Sequence, residues 1–153
     1  MSNAIPDVTI VVGTVYGGSE AIAELAAKML KRAGHSSRVL LEATVSELEA
    51  AEKLLFITST TGQGDLPQNI IELVDDLEAK TPDFNAKPYG LIAFGDRGYG
   101  KTFCRAGKQV NALLARLNCA ELMPCLEVDA VEHLDPEEPV VPWLQDFVDE
   151  VVT

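Results

Sequence analysis

Short, nearly uninterrupted apolar runs alternate along this chain with segments that have the periodicity of amphipathic helices. Runs of this length that are rich in Val, Ile and Leu are typical of strands buried on both faces. The predicted strands span residues 8–13, 38–41, 54–58, 89–95 and 122–128, and the predicted helices span 19–33, 45–51, 67–78, 103–117 and 140–152. Parallel strands need a crossover connection, and a helix is the compact one. The alternation therefore predicts an α/β fold, a three-layer sandwich around a five-stranded parallel sheet.

The length of 153 residues, without repeats or linkers, predicts a single domain over residues 1–153. No apolar run approaches the ~20 residues of a membrane span, and the first residues do not resemble a signal peptide. We therefore expect no membrane association and a cytoplasmic location. The net charge of −12 disfavours binding to nucleic acids and to anionic lipids. Residues 117–153 hold 10 acids and no Lys or Arg, which is typical of a solvated face but could also attract a basic partner.

Other reactive side chains give weaker indications. The cysteines are odd in number and form no C-x-x-C motif, so we expect reduced and mostly buried thiols at Cys104, Cys119 and Cys125. The two histidines lack a nearby ligand pattern, which favours surface positions for His35 and His133 and predicts no metal site. Trp143 lies at helical spacing from Phe147, which favours a place in the core. No catalytic triad order or G-x-S-x-G motif is present, so no catalytic residue is predicted.

Three glycine-rich loops follow the first, third and fourth predicted strands, at the sheet edge where such folds bind ligands. In the first loop, residues 13–20, backbone N–H groups, a helix start and the hydroxyls of Thr14 and Ser19 could bind a phosphate monoester. The loop lacks the lysine of a P-loop and the pattern of a dinucleotide fingerprint. The alternative is that Ser19 is an ordinary N-cap and the glycines only make the turn.

The second and third loops suit a planar ligand. Residues 59–67 supply three hydroxyls and two glycines, which could present backbone groups to a ligand, or could form a solvent-facing turn with Asp65 capping the next helix. Residues 95–104 contain Tyr99, which could stack on a ligand or cover the core. A phosphate seat, a flexible polar backbone and a stacking ring are together the parts that bind a mononucleotide-like flavin.

Several of these segments resemble the short-chain flavodoxins, most closely the MioC/YqcA type. The match is carried by residues 13–17 (GTVYG), 59–67 (STTGQGDLP), 95–96 (GD) and 103–109, and the resemblance covers nearly the whole chain. It implies a flavodoxin-like sheet with strand order 2-1-3-4-5 and FMN as the cofactor. The implied cofactor-binding residues are Thr14, Val15, Tyr16, Gly17, Gly18 and Ser19 at the phosphate, Ser59, Thr60, Thr61, Gly62, Gln63 and Gly64 beside the isoalloxazine, and Gly95, Asp96, Tyr99, Phe103 and Cys104 around its pyrimidine, with Tyr99 as the stacking ring.

The resemblance further implies an electron carrier that shuttles electrons from an NADPH-ferredoxin/flavodoxin reductase-type protein to an acceptor redox enzyme. A phosphate held by neutral groups in a protein of charge −12 disfavours more negative charge on the reduced ring, so a low potential is expected. Acidic residues such as Asp65, Glu72, Asp75 and Asp76 indicate where a basic reductase would dock. One alternative is an FMN-dependent reductase that acts directly on a small substrate. Another is a cofactor-free receiver domain, whose phosphoacceptor Asp is absent after the third strand.

Overall fold

Strands and helices alternate in the computed structural model, which describes residues 5–14, 17–60, 64–95, 104–130, 132 and 135–152. The strands are β1 (Val8–Gly13), β2 (Ser37–Leu40), β3 (Leu54–Ser59), β4 (Pro88–Gly95), β5 (Ala120–Glu121) and β6 (Leu126–Asp129). The helices are α1 (Gly18–Arg32), α2 (Val45–Ala50), α3 (Gln68–Lys80), α4 (Arg105–Arg116) and α5 (Glu137–Val152). None of the helices within these ranges is long and apolar enough to cross a membrane.

The sheet is parallel at every described pairing and has the order β2-β1-β3-β4-β5, with β6 also paired to β4. This order confirms the α/β flavodoxin-like fold that the sequence predicted. The two pairings of the central strand β3 have the longest registers, which run from Thr9 opposite Leu54 to Gly13 opposite Thr58 with β1, and from Leu54 opposite Tyr89 to Ser59 opposite Phe94 with β4. All of these strands therefore end at the same edge of the sheet.

The fifth predicted strand, residues 122–128, is wrong as one continuous element. The structure has two short strands on the same side of β4, namely β5 before the predicted run and β6 at its end. Pro124 lies between them and has no backbone N–H for a ladder bond. Its carbonyl instead accepts a hydrogen bond from Trp143 Nε1 at 3.0 Å. Both backbone groups of this residue are thus lost to the sheet, and the strand is interrupted there.

Alternate side chains of each strand point to opposite faces of the sheet, and both faces are covered by helices. On one face Val8, Ile10 and Val12 pack in a core with residues of α1 and α5. On the other face Val11 packs in a core with residues of α2, α3 and α4. The continuous burial of β1 explains why its sequence is apolar throughout.

Local sequence accounts for most helix ends. Helix α1 stops at Gly34, whose φ of 90° is the left-handed conformation that glycine tolerates best. Thr44 and Glu47 form a reciprocal capping box at the start of α2, with N–H to oxygen distances of 3.2 and 2.9 Å. Helix α5 begins at Glu137, earlier than predicted, because Pro139 falls in the first turn, where no intrahelical N–H bond is needed.

The side-chain predictions outside the loops are mostly confirmed. Trp143 is buried and stacks on Phe147 with ring centroids 5.5 Å apart. The three cysteines are unpaired and are buried or half-buried. The surface prediction for His35 is wrong, since its side chain is only 18% exposed and its Nδ1 lies 3.5 Å from Asp7 Oδ2. His133 lies outside the described residues.

Helix α4 approaches β4 closely at Gly107, where an added Cβ would clash with the Cβ of Ala93. We expect Gly107→Ala to lower the free energy of unfolding by about 1–3 kcal/mol, because overpacking outweighs the better helix propensity of alanine. The measurement is denaturant unfolding of the flavin-free protein. Gly18→Ala in α1 is the matched control, since no atom lies within 4 Å of its added Cβ. A Gly107→Ala variant as stable as the wild type would contradict this tight contact.

Candidate functional site

The ends of β1, β3, β4 and β6 bring the three glycine-rich loops to one edge of the sheet. Gly13 lies opposite Thr58, Ser59 lies opposite Phe94, and Gly95 lies opposite Asp129. The described parts of the loops therefore meet, as parallel pairing predicted. The predicted site residues Val15, Tyr16, Thr61, Gly62, Gln63, Asp96, Tyr99 and Phe103 lie outside the described residues.

Helix α1 begins at the end of the first glycine-rich loop, and within the described residues no side chain caps its first N–H groups. Its N-cap is Gly17, with a φ of 84° and no side-chain cap hydrogen bond. The N–H of Gly17 donates to Thr14 Oγ1 at 2.9 Å, and the first intrahelical bond runs from Ala21 N–H to the Gly17 carbonyl at 3.1 Å. The N–H groups of Gly18, Ser19 and Glu20 therefore have no intrahelical acceptor and can bind an anion at the positive end of the helix dipole.

Ser19 is not the N-cap residue, so the ordinary-cap interpretation is wrong. It is the second residue of α1 and is only 3% exposed. Its hydroxyl is buried and has no hydrogen-bond partner in the described residues. Burial of a hydroxyl without a hydrogen-bond partner costs free energy. The Ser19 hydroxyl therefore indicates that a polar group of a ligand could bind at this end of α1.

The first loop has open space around Gly17 and Gly18 and is tightly packed at Gly13. A Cβ added at Gly17 or Gly18 would meet nothing within 4 Å. A Cβ added at Gly13 would lie 2.5 Å from Thr58 Oγ1 and 2.8 Å from Ile70 Cδ1. The space around Gly17 and Gly18, the first-turn N–H groups without an intrahelical acceptor, and the Ser19 hydroxyl without a partner among the described residues together fit a phosphate monoester.

Hydrogen bonds join the second loop to the ends of β1 and β4. Ser59 Oγ donates to the Gly13 carbonyl at 3.4 Å, and the N–H of Thr60 donates to the Phe94 carbonyl at 3.1 Å. Thr60 Oγ1 accepts the N–H of Ala106, at the start of α4, at 3.3 Å. Two of the three predicted hydroxyls thus have partners within the protein and hold the loops together.

The same loop ends in a glycine turn before α3. Gly64 is buried and has a φ of 98°, which favours glycine at this position. The N-cap residue of α3 is Pro67, so Asp65 is not the N-cap that the alternative interpretation required. Asp65 is exposed at the mouth of a shallow groove that Arg105 and Gln109 also line.

The described ends of the third loop are Gly95 and Cys104. Gly95 closes β4, and its carbonyl accepts the N–H of Ala130 at 2.9 Å. Cys104 is the N-cap residue of α4, is fully buried, and lies 3.5 Å from the Ala93 carbonyl through its sulfur. Its φ of 52° lies in the left-handed region, so the chain turns sharply into α4 here.

Sequence analysis missed Asn69, which joins three elements at this edge. Its Oδ1 accepts the N–H of Thr14 at 2.9 Å, and its Nδ2 donates to the carbonyls of Val12 and Leu41 at 2.6 and 2.7 Å. The one available signal was an asparagine, a poor helix former, in the first turn of a helix that starts at the ligand edge. Nothing in the local sequence identifies partners so distant along the chain.

A sequence profile of the family described as Flavodoxin matches residues 10–143. The chain belongs to the flavodoxin family. Flavodoxin YqcA from Pectobacterium carotovorum subsp. carotovorum is 43% identical over 142 residues, covering 92% of this chain and 93% of that protein. Protein MioC from Escherichia coli strain K12 is 33% identical over 142 residues, covering 93% and 96%. A solved cysteine-to-serine mutant of flavodoxin from Pseudomonas aeruginosa has a TM-score of 0.89 and 38% identity, covering 95% and 99%.

These similarities confirm the predicted family and its MioC/YqcA type. Flavodoxins are electron carriers that use a flavin, typically FMN, act with redox partners, and generally do not turn over a substrate. Among the described residues, no three His, Cys, Asp or Glu side chains are grouped so as to hold a metal ion.

The cysteines of this flavodoxin are poor nucleophiles in the folded state. Burial raises the pKa of Cys104 and of Cys125 to about 12, and Glu127 adds to both shifts. Burial raises the pKa of Cys119 to about 11. Because the thiolate is the reactive form, we expect slow reaction of all three thiols with an aromatic disulfide reagent near pH 8, and faster reaction as the pH rises towards about 11.

The control is the same reaction in denaturant, in which all three thiols should react without delay. One native thiol that reacts within seconds near pH 8 would contradict the burial of that cysteine.

Proposed function

We propose that this chain is a single-domain, FMN-binding, low-potential electron carrier that works between an NAD(P)H-dependent reductase and an acceptor redox enzyme. The observation that carries the proposal is the start of α1, where three first-turn N–H groups lack an intrahelical acceptor and the buried Ser19 hydroxyl has no hydrogen-bond partner among the described residues. Membership of the flavodoxin family supports FMN as the ligand. The three unpaired thiols of the chain suit a reducing compartment, so we propose a cytoplasmic location.

The phosphate would be held by the segment from Thr14 to Ser19, through backbone N–H groups, the hydroxyl of Thr14 and the helix dipole. The described part of this segment carries no Lys or Arg, so dipoles and hydrogen bonds would balance the phosphate charge. The ring would lie against Ser59, Thr60, Thr61, Gly62, Gln63 and Gly64 on one side and against Gly95, Asp96, Tyr99, Phe103 and Cys104 on the other. FMN would supply the one-electron and two-electron redox chemistry.

The chain itself would set the potential through charge and shielding. The net charge is −12, and the phosphate charge would be left without a cationic partner in the described part of the first loop. Electrons would therefore enter a field that is already negative, which lowers the reduction potential. Because helices cover both faces of the sheet among the described residues, we propose the loop edge as the place of electron exchange with a partner.

The phosphate seat is tested by Gly17→Val. Gly17 has a φ of 84°, which a β-branched residue adopts at a cost of about 1–3 kcal/mol, so the loop should shift and its N–H groups should lose their alignment. We expect the wild type to bind FMN more tightly than riboflavin, and Gly17→Val to weaken FMN binding by about tenfold or more. Fluorescence titration of the flavin-free protein measures both affinities.

Gly34→Val is the matched control, because Gly34 has a φ of 90°, has equally open surroundings, and lies at the other end of α1. Both variants should lose similar stability, whereas only Gly17→Val should lose FMN affinity. Equal binding of riboflavin and FMN by the wild type would contradict the phosphate seat. Equal losses of affinity in both variants would assign the effect to folding.

The partner surface that we propose is the acidic side of α3. Glu72 and Asp75 are exposed, and Glu72 and Asp76 line a groove that also contains Thr14 of the phosphate loop. Glu72 and Asp76 thus lie near the proposed phosphate end of the site, on the helix that follows the second loop. A basic reductase surface is complementary to them, and charge complementarity acts mainly on the association rate.

We expect the second-order rate of flavin reduction by such a reductase to fall about tenfold or more between about 0.1 and 1 M salt, as the Debye length shrinks from about 10 to 3 Å. Stopped-flow absorbance measures this rate. Neutralising Asp75 and Asp76 as Asn should flatten the salt dependence.

The control removes the same charge from α5 as Asp149→Asn with Glu150→Gln, and it should leave the slope largely intact. A salt-insensitive rate, or a larger effect of the α5 pair, would overturn this docking surface and leave the flavin assignment in place.

A further inference from the structure

One side chain of α3 fixes the exit of β1 towards the phosphate loop. Asn69 uses both hydrogens of Nδ2, at 2.6 Å to the Val12 carbonyl and at 2.7 Å to the Leu41 carbonyl. Its Oδ1 accepts the N–H of Thr14 at 2.9 Å. Three backbone groups beyond the last pair between β1 and β2, Val11 opposite Leu40, are therefore satisfied by one residue of a third element.

The chain of contacts continues to the start of α1. Thr14, held by Asn69 through its N–H, accepts the N–H of Gly17 with Oγ1 at 2.9 Å. Gly17 is the N-cap residue whose left-handed backbone directs the first turn of α1. The orientation of the first-turn N–H groups thus depends on Gly17, then on Thr14, and then on Asn69.

The residue after Asn69 closes the same strand exit from another side. Ile70 is buried, and its Cδ1 would lie 2.8 Å from a Cβ at Gly13. Two consecutive residues of α3, one polar and one apolar, therefore confine the segment from Val12 to Thr14. Replacement of Asn69 would remove these hydrogen bonds and would leave the apolar contact with Ile70 in place.

We propose that Asn69 is a positioning residue for the flavin phosphate: it holds Thr14 so that the first turn of α1 is aligned before the ligand arrives. This inference rests on the proposed function. Asn69 acts through Thr14 and Gly17, and no contact of its own with the flavin is required. Ordering of the loop in advance lowers the entropy cost of binding, and the benefit goes to the phosphate end of the ligand.

A purely structural role for Asn69 makes a different prediction. Loss of three hydrogen bonds would then lower the stability of the protein and would weaken FMN and riboflavin binding equally. A positioning role weakens FMN selectively, because riboflavin has the same ring but no phosphate. The ratio of the two dissociation constants therefore separates the roles.

The experiment compares Asn69→Ala and Asn69→Asp with the wild type, using FMN and riboflavin as the probes and fluorescence titration of the flavin-free protein. Asn69→Ala should raise the FMN dissociation constant about tenfold or more and change that of riboflavin less than about threefold. Asn69→Asp should cost FMN still more, because a carboxylate cannot donate to the two carbonyls and adds negative charge near the phosphate seat.

Asn111→Ala is the matched control. Asn111 accepts a hydrogen bond from the hydroxyl of Tyr89 at 2.6 Å, and Tyr89 lies near the start of β4, at the opposite edge of the sheet. This variant also loses an asparagine side-chain hydrogen bond, and it should keep the wild-type ratio of FMN to riboflavin affinity. If Asn69→Ala does not fold, Asn69→Ser, which keeps a hydroxyl near the same backbone groups, replaces it and should show a smaller change in the same direction.

A wild-type ratio in the folded Asn69 variants, or equal weakening of both flavins, would overturn the positioning role while leaving the proposed function intact. A wild type that binds neither flavin would instead contradict the proposed function itself. Selective loss of FMN in the Asn69 variants, with the ratio unchanged in Asn111→Ala, would support the positioning role.

Discussion

The burial of β1 between β2 and β3 is the constraint on which the rest of the structure depends. Its six residues are all buried, and its backbone is paired on both sides. A strand in this position cannot slip by one residue without exchanging the apolar sets of the two faces. Its end at Gly13 is therefore fixed, and the first glycine-rich loop begins at a defined point opposite Thr58.

The strands, the helices and the parallel sheet could be predicted from local sequence patterns, whereas the strand order was implied by the resemblance to flavodoxins. Continuous apolar runs gave the strands, helical spacing gave the helices, and the need for crossovers gave the parallel sheet. The prediction of one continuous fifth strand is wrong because the apolar run contains Pro124, whose missing N–H is visible in the sequence. The engagement of its carbonyl by Trp143, a tertiary contact 19 residues away, was not visible.

The candidate site could be predicted only in part from the sequence. The meeting of the loops followed from the parallel topology, so Thr14, Ser59 and Gly95 could be brought together without coordinates. The bonds that shape the loops could not, because they join residues far apart in sequence. Asn69 reaches Thr14 across 55 positions and Val12 across 57. Ser19 was misassigned in one interpretation because Ser is a favoured N-cap, whereas the turn at Gly17 sets the helix start two residues earlier.

The hydrogen bonds around the first loop divide its donors into two sets. The N–H groups of Thr14 and Gly17 are engaged within the protein, by Asn69 and by the Thr14 hydroxyl. The N–H groups of Gly18, Ser19 and Glu20 precede the first donor of the helix ladder, Ala21. The groups that fix the loop are thus separate from those that are left for an anion. A loop built in this way need not break its own bonds to bind a phosphate, so its order can be established before the ligand arrives.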